Sequence, residues 1–166
     1  MPVNPAGLLT ASWVTPISVQ MPVWVQAGLF LLLLFAVSIC DLKWRVIPDS
    51  LQLAIAALTF LCFIPGNLLG VLGALPYLVI ALFFGRMDGM GGGDIKLAAA
   101  TGMVLGLSAS LTASMLGLAG FVLYSTIYTK LRQLHGQKRK IPFPVGPFLA
   151  AGSAAAYFMK IGGLIL

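Results

Sequence analysis

The sequence predicts an all-α, polytopic membrane protein with about six transmembrane helices, and three observations carry that prediction. Of its 166 residues, 60% are apolar and only 8% charged, and the mean hydropathy is +1.02. A soluble domain of this length leaves too much surface exposed to hide so much apolar area. The apolar stretches are continuous, as in 29–40, and do not alternate with period two. In lipid every backbone polar group must pair internally, so continuous runs select helices over a barrel. Finally, the basic residues cluster on alternate connections between the apolar runs, as a multi-pass chain requires.

Six segments follow in order: 23–40, 51–64, 68–84, 95–107, 110–128 and 145–166. The uncharged stretch 1–22 lacks the basic region that opens a signal peptide. Ala36-Val37-Ser38-Ile39-Cys40 resembles a lipoprotein cleavage box, but it lies too far into the chain and has Ile where a small residue is needed. A helix crossing the hydrocarbon core needs about 20 residues. The second and fourth segments are shorter, so they extend into their flanks or occupy a thinned or protein-lined region. Pro65-Gly66-Asn67 reads as a tight turn. Lys43, Arg45, Arg86, Lys130, Arg132, Lys138, Arg139 and Lys140 fall on one side, with Lys96 at its border, while 65–67 and 106–110 carry no charge. That side is expected to be cytoplasmic, with both termini outside. Lys160 is the exception and is expected to snorkel to the far interface. The chain reads as one domain over 1–166, with a basic cytoplasmic loop at 129–141.

The net charge of +6 has its origin in these loops, so no nucleic-acid partner is expected; the expected surroundings are lipid. Cys40 and Cys62 form no CxxC pair, which argues against a zinc site or a disulfide framework. Glycines such as Gly102, Gly106, Gly117 and Gly120 suit close helix packing.

The chain has no Glu, and its four acids, Asp41, Asp49, Asp88 and Asp94, fall in two short windows on the cytoplasmic side. Between the windows the chain crosses and returns, so residues 53 apart can meet at one depth. Carboxylates at membrane depth are costly and mark function. Without Glu there is no HExxH metal site, and no metal or other cofactor is expected. The lone His135 sits in the basic loop, away from the acids, which disfavours a Ser–His or Cys–His pair. Ser153 and Lys160 stand about 10 Å apart along a helix, beyond hydrogen-bond reach. The triple glycine lacks the GK[ST] of a phosphate loop. Carboxylates remain, and two sharing a proton can activate water and protonate a leaving amine.

Gly91-Gly92-Gly93-Asp94-Ile95-Lys96-Leu97 resembles the GxGD motif of the type IV prepilin peptidase family. Asp41-Leu42, followed by Ile47-Pro48-Asp49, resembles that family's first aspartate motif. Ile141-Pro142-Phe143-Pro144-Val145-Gly146-Pro147-Phe148 is similar to the proline-rich start of its last span; the inserted Pro-Val departs from the usual pattern, and the segment is given no catalytic role here. The resemblance covers about residues 30–150. It implies a GxGD-type intramembrane aspartic peptidase with Asp41 and Asp94 as the catalytic pair, supported by Gly91, Gly93, Lys96 and Pro48. It further implies cleavage of leader peptides from prepilins or pseudopilins at the cytoplasmic face of the bacterial inner membrane. Larger members carry an extra region with paired CxxC motifs and methylate the new terminus; the chain resembles the short form serving Flp-type pili, with no methyltransferase activity expected.

Other readings of the same residues stand beside this one. Asp49 follows Pro48 at a helix-start signal, and Asp88 suits a solvated loop; alternatively both attract a basic substrate leader. Gly91–Gly93 permit positive φ and close approach of another chain. Lys96 either holds Asp94 or marks the interface. With Asp41 at a helix C-terminus and Asp94 at a helix N-terminus, a shared negative charge is expected on Asp94, unless Lys43 and Arg45 approach Asp41. A small ion or solute transporter using Asp41 and Asp94 as a cation site, or a non-enzymatic pilus or secretion assembly factor, are the rival functions.

Overall fold

The computed structural model describes residues 17–83, 91–134 and 144–163. Six α-helices appear among them: α1 (Ile17–Trp44), α2 (Asp49–Ala57), α3 (Leu75–Phe83), α4 (Gly92–Leu105), α5 (Leu107–Leu134) and α6 (Gly146–Ile161). A 3₁₀ turn, Leu58–Phe60, prolongs α2, and a 3₁₀ helix, Pro65–Ala74, runs directly into α3. Three segments are long and apolar enough to cross a membrane: Val23–Trp44, Pro65–Phe83 and Leu107–Gln133. The turn expected at Pro65-Gly66-Asn67 is the opening of the 3₁₀ helix, where the Asn67 N–H donates to the Ile64 carbonyl at 2.9 Å. At about 2.0 Å per residue the 3₁₀ stretch rises faster than an α-helix, so Pro65–Phe83 reaches about 34 Å in only 19 residues.

The long α1 shows how the chain separates lipid from core. Phe30, Leu34, Val37 and Asp41 are buried, at spacings of four, three and four that form one stripe. Leu32, Phe35, Ile39 and Leu42 lie on the other face and are exposed. The helix ends at Arg45, whose φ of 54° is left-handed. Asp41 therefore belongs to the buried stripe of α1, within its last turn, and does not follow the helix.

The short α4 is central. Leu97, Ala98, Ala100, Thr101, Gly102, Val104 and Leu105 are all buried, because α2, α3, the 3₁₀ helix, α5 and α6 surround it. A helix walled by protein need not reach both membrane surfaces, which accounts for its 14 residues. Where the 3₁₀ helix crosses α4, Gly70 and Gly102 bring the backbones into direct contact, and a Cβ on either would run into the other's carbonyl. Across α5, Ala109, Ala113 and Gly117 repeat every four residues and let α6 approach through Gly152.

The end of the bundle away from the aspartates is stitched by polar side chains. Gln26 Nε2 donates to the Leu58 carbonyl at 2.9 Å, and Asn67 Nδ2 to the Val104 carbonyl at 3.5 Å. Lys160 Nζ donates to the Leu105 carbonyl at 2.6 Å, so it caps the C-terminus of α4 rather than snorkelling outward. Helix α5 continues to Leu134, so Lys130 and Arg132, assigned to a loop from the sequence, stand on its last turns. Arg86, Asp88, His135 and 138–140 lie outside the described residues.

Candidate active site

Three of the four aspartates can be placed, all at one end of the bundle: Asp41 in the last turn of α1, Asp49 at the start of α2, and Asp94 in the first turn of α4. Two are buried and one is not. Asp41 and Asp94 are each 6% exposed, whereas the Asp49 side chain is 77% exposed. The site thus sorts the acids by environment before any chemistry is considered.

Each buried carboxyl is held by one helix N-terminus. Asp94 turns back to accept from the Gly91 N–H at 3.0 Å, the returning half of a capping box. The Asp94 N–H in turn donates to the Gly91 carbonyl at 3.1 Å. Asp41 reaches across 105 residues of sequence to α6, where the Gly146 N–H donates to its Oδ2 at 2.9 Å. Gly146 opens α6, so this N–H is among those without an intrahelical acceptor, and a carboxylate is its natural partner. In both aspartates one carboxyl oxygen, Oδ2, is fixed and Oδ1 has no protein partner among the described residues. The two groups lie near enough for the charge of Asp41 to act on Asp94.

The glycine run behaves differently from expectation. Gly91 has φ −97°, and among the described residues the positive-φ glycines are Gly106 and Gly163. Close backbone approach among the described residues does not explain the run either: of those, a Cβ on Gly92 would meet none within 4 Å, and one on Gly91 only the Gly93 nitrogen at 3.9 Å. Gly91 and Gly92 are exposed, whereas Asp94 is buried. Gly93 is tied from behind, since Gln52 Nε2, buried on α2, donates to its carbonyl at 3.3 Å and to that of Ile47 at 3.5 Å.

Lys96 does not hold Asp94. Its Nζ pairs with Asp49, at 3.0 Å to Oδ1 and 3.2 Å to Oδ2, joining α4 to α2 on the surface. An exposed pair of this kind contributes about 0–1 kcal/mol. Pro48 is the N-cap residue of α2, and its carbonyl accepts from the Leu51 and Gln52 N–H groups.

Sequence reasoning missed Gly146 and Gln52. The first lies in the proline-rich stretch to which no catalytic role was given, and Gly-Pro at a helix start was its only signal. The second was hidden because a lone Gln in an apolar run looks like any polar surface residue. Among the described residues no three His, Cys, Asp or Glu side chains converge.

Known proteins are similar to this chain over most of its length. The chain is 34% identical over 140 residues to a prepilin leader peptidase/N-methyltransferase of Bacillus subtilis (strain 168), covering 79% of this chain and 54% of that protein. It is 31% identical over 140 residues to a protein of the same name from Burkholderia pseudomallei (strain 1026b), covering 75% and 43%. It spans about half the length of these curated relatives. No solved structure matches it. Residues 28–130, which include both buried aspartates, match the type IV leader peptidase family as a whole, and the chain belongs to that family.

Proposed function

We propose that this chain is an aspartic endopeptidase that removes the leader from prepilin-like substrates, with Asp41 and Asp94 as its catalytic pair. One observation carries the reading: two buried carboxyls share one end of the bundle, each with one oxygen fixed by a helix N-terminus and the other without a partner among the described residues. In the proposed cycle one carboxylate takes a proton from water as the water oxygen bonds to the scissile carbonyl carbon. The other carboxyl gives its proton to the leaving amine as the C–N bond breaks, and the pair is reset by transfer of one proton between them. No covalent intermediate or metal takes part. Gly91 and Gly92 are exposed, and in this reading an extended peptide reaches the pair past them.

The basic residues support placing this end at the cytoplasmic face of the bacterial inner membrane. Flp-type prepilins are the proposed substrates, on the resemblance to the short form of the family. The proposal covers only the peptidase half of the name that the relatives carry. Asp49 and Asp88 are assigned no step.

The test is cleavage of candidate prepilins in membranes, with sequencing of the new N-termini, for Asp41→Asn and Asp94→Asn at matched expression. Asn keeps the shape and the hydrogen bonds to Gly146 and Gly91 while removing the ionisable proton, so both variants should accumulate and neither should cleave. Robust processing by either one would sink the pair. Cleavage lost to EDTA and restored by added metal would remove the aspartic reading altogether.

A further inference from the structure

The buried face of α2 carries an amide. Gln52 is 5% exposed and shares that face with Ile55, three residues further on and fully enclosed. Burying an amide is costly unless it finds partners, and a long apolar side chain would fill the same space without that cost. Gln52 Nε2 donates to two backbone carbonyls, that of Gly93 at 3.3 Å and that of Ile47 at 3.5 Å. Both neighbours are acceptors and an amide NH2 has two hydrogens, so the nitrogen is the end that faces them.

The Gly93 carbonyl belongs to the same planar peptide unit as the Asp94 N–H. That N–H donates to the Gly91 carbonyl at 3.1 Å, so the unit is held at both ends, from within α4 by Gly91 and from α2 by Gln52. The unit carries the Asp94 Cα, and its orientation sets the direction in which the carboxyl leaves the backbone. Three glycines precede Asp94, and glycine backbones have the most freedom to lose on ordering. Tight packing is not what restrains them: a Cβ on Gly93 would stand 3.7 Å from both Gln52 Nε2 and Ile47 Cβ, which is ordinary contact. The Lys96–Asp49 pair also links α4 to α2, but it is exposed and weakened by solvent. The Gln52 link is shielded from water.

We propose that Gln52 is a positioning residue, whose amide fixes the Gly93–Asp94 peptide unit and so aims the Asp94 carboxyl. This rests on the aspartic reading above. Gln52 acts on Asp94 through the backbone, so losing its donor misdirects a reacting group without removing a contact to substrate. The loss belongs in kcat and not in KM.

The test uses the full chain reconstituted in lipid with a prepilin substrate, measuring kcat, KM, the thermal midpoint and hydrogen–deuterium exchange. Gln52→Met keeps the length of the side chain and removes the donor. It should lower kcat by about tenfold with KM unchanged, and amides in 92–97 should exchange about fivefold faster. Gln26→Met is the comparator: Gln26 is also buried and donates to a backbone carbonyl, that of Leu58, at the opposite end of the bundle. It should lower the midpoint while leaving kcat per folded molecule, and exchange in 92–97, at parental values. Parental kcat in Gln52→Met, a fall that Gln26→Met shares, or unaltered exchange in 92–97 overturns the proposal. Gln52→Asn covers the case in which Gln52→Met does not fold. It keeps an amide but withdraws it by one methylene from the Gly93 carbonyl, so kcat should fall here too, and a parental value overturns the proposal equally. Asp94→Asn, run alongside, separates the two ideas. If it is dead while Gln52→Met is unimpaired, only the role of Gln52 fails; if it cleaves normally, the aspartic reading fails and this role falls with it.

Discussion

Gly146→Ala puts the contact between α6 and Asp41 to a direct test. A Cβ at this position would meet Asp41 Oδ2 at 2.7 Å, Cγ at 3.0 Å and Cβ at 3.1 Å. All three atoms belong to the one carboxyl side chain, so the intrusion falls on Asp41 and not on the surrounding helices. Relief requires the carboxyl to swing away or the first turn of α6 to back off, and either movement breaks the 2.9 Å bond from the Gly146 N–H. A hydrogen bond to a charged group contributes about 1.5–3 kcal/mol, which corresponds to a fall in cleavage of about 10- to 150-fold at 1.36 kcal/mol per decade. The fold itself should suffer less, because alanine is a better helix former than glycine by up to about 1 kcal/mol. The assay is processing of a prepilin-like reporter in membranes at matched expression, under conditions where one turnover is resolved. Gly28→Ala is the comparator, since a Cβ there meets nothing within 4 Å, and it should cleave at the parental rate. Parental cleavage by Gly146→Ala at normal accumulation would show that the α6 contact does not position Asp41.

Three further outcomes follow from the same geometry. Gly102→Ala drives a Cβ into the Gly70 carbonyl carbon and against Ser110, and overpacking of this kind costs about 1–3 kcal/mol; the thermal midpoint and the yield of folded protein should both drop. Lys160→Met removes the donor to the Leu105 carbonyl and should cost about 1 kcal/mol of stability, with cleavage per folded molecule unchanged because the contact is at the opposite end from the aspartates. Asp49→Asn breaks an exposed ion pair with Lys96 and should change stability by less than about 1 kcal/mol; cleavage should stay near parental at physiological salt, and total loss in a normally folded variant would make Asp49 a member of the pair.

The order of helices and the two aspartate windows were legible because both depend on local sequence: long apolar runs, loop charges, and acids placed where acids are costly. The depth of the site was not. Asp41 shares a stripe with Phe30, Leu34 and Val37, yet α1 is apolar on every side, so the buried stripe does not stand out from the lipid-facing one. In lipid, hydrophobicity no longer separates inside from outside, and small residues or polar atoms must be read instead. The partners of the carboxyls are tertiary facts. Nothing near Asp41 in sequence points to Gly146, and nothing near Gly93 points to Gln52. The 3₁₀ helix was equally hidden, because Pro65–Ala74 carries an ordinary apolar pattern. Its carbonyls are met from outside the segment, as where Ser114 Oγ donates to Gly73 at 2.6 Å.

The same contacts alter the electrostatic argument within the pair. From sequence, Asp41 stands at a helix C-terminus, where the dipole opposes a negative charge, and Asp94 at an N-terminus, where it favours one. That asymmetry is offset once α6 is in place, because its first N–H points at Asp41 Oδ2 while the first turn of α4 serves Asp94. Each carboxyl then sees one helix N-terminus and one direct N–H donor, at 2.9 and 3.0 Å, so these contacts provide no basis for confining a shared charge to Asp94. A pair matched in this way suits chemistry in which the two acids exchange roles within a cycle, since moving the proton from one to the other breaks no hydrogen bond to the backbone. The glycines at 91 and 146 contribute through their N–H groups. At 146 the missing side chain matters too, because that is where a Cβ would strike the acid. Helix ends hold the two carboxyls, and this places residues 41, 94 and 146 at one end of the bundle despite their separation along the chain.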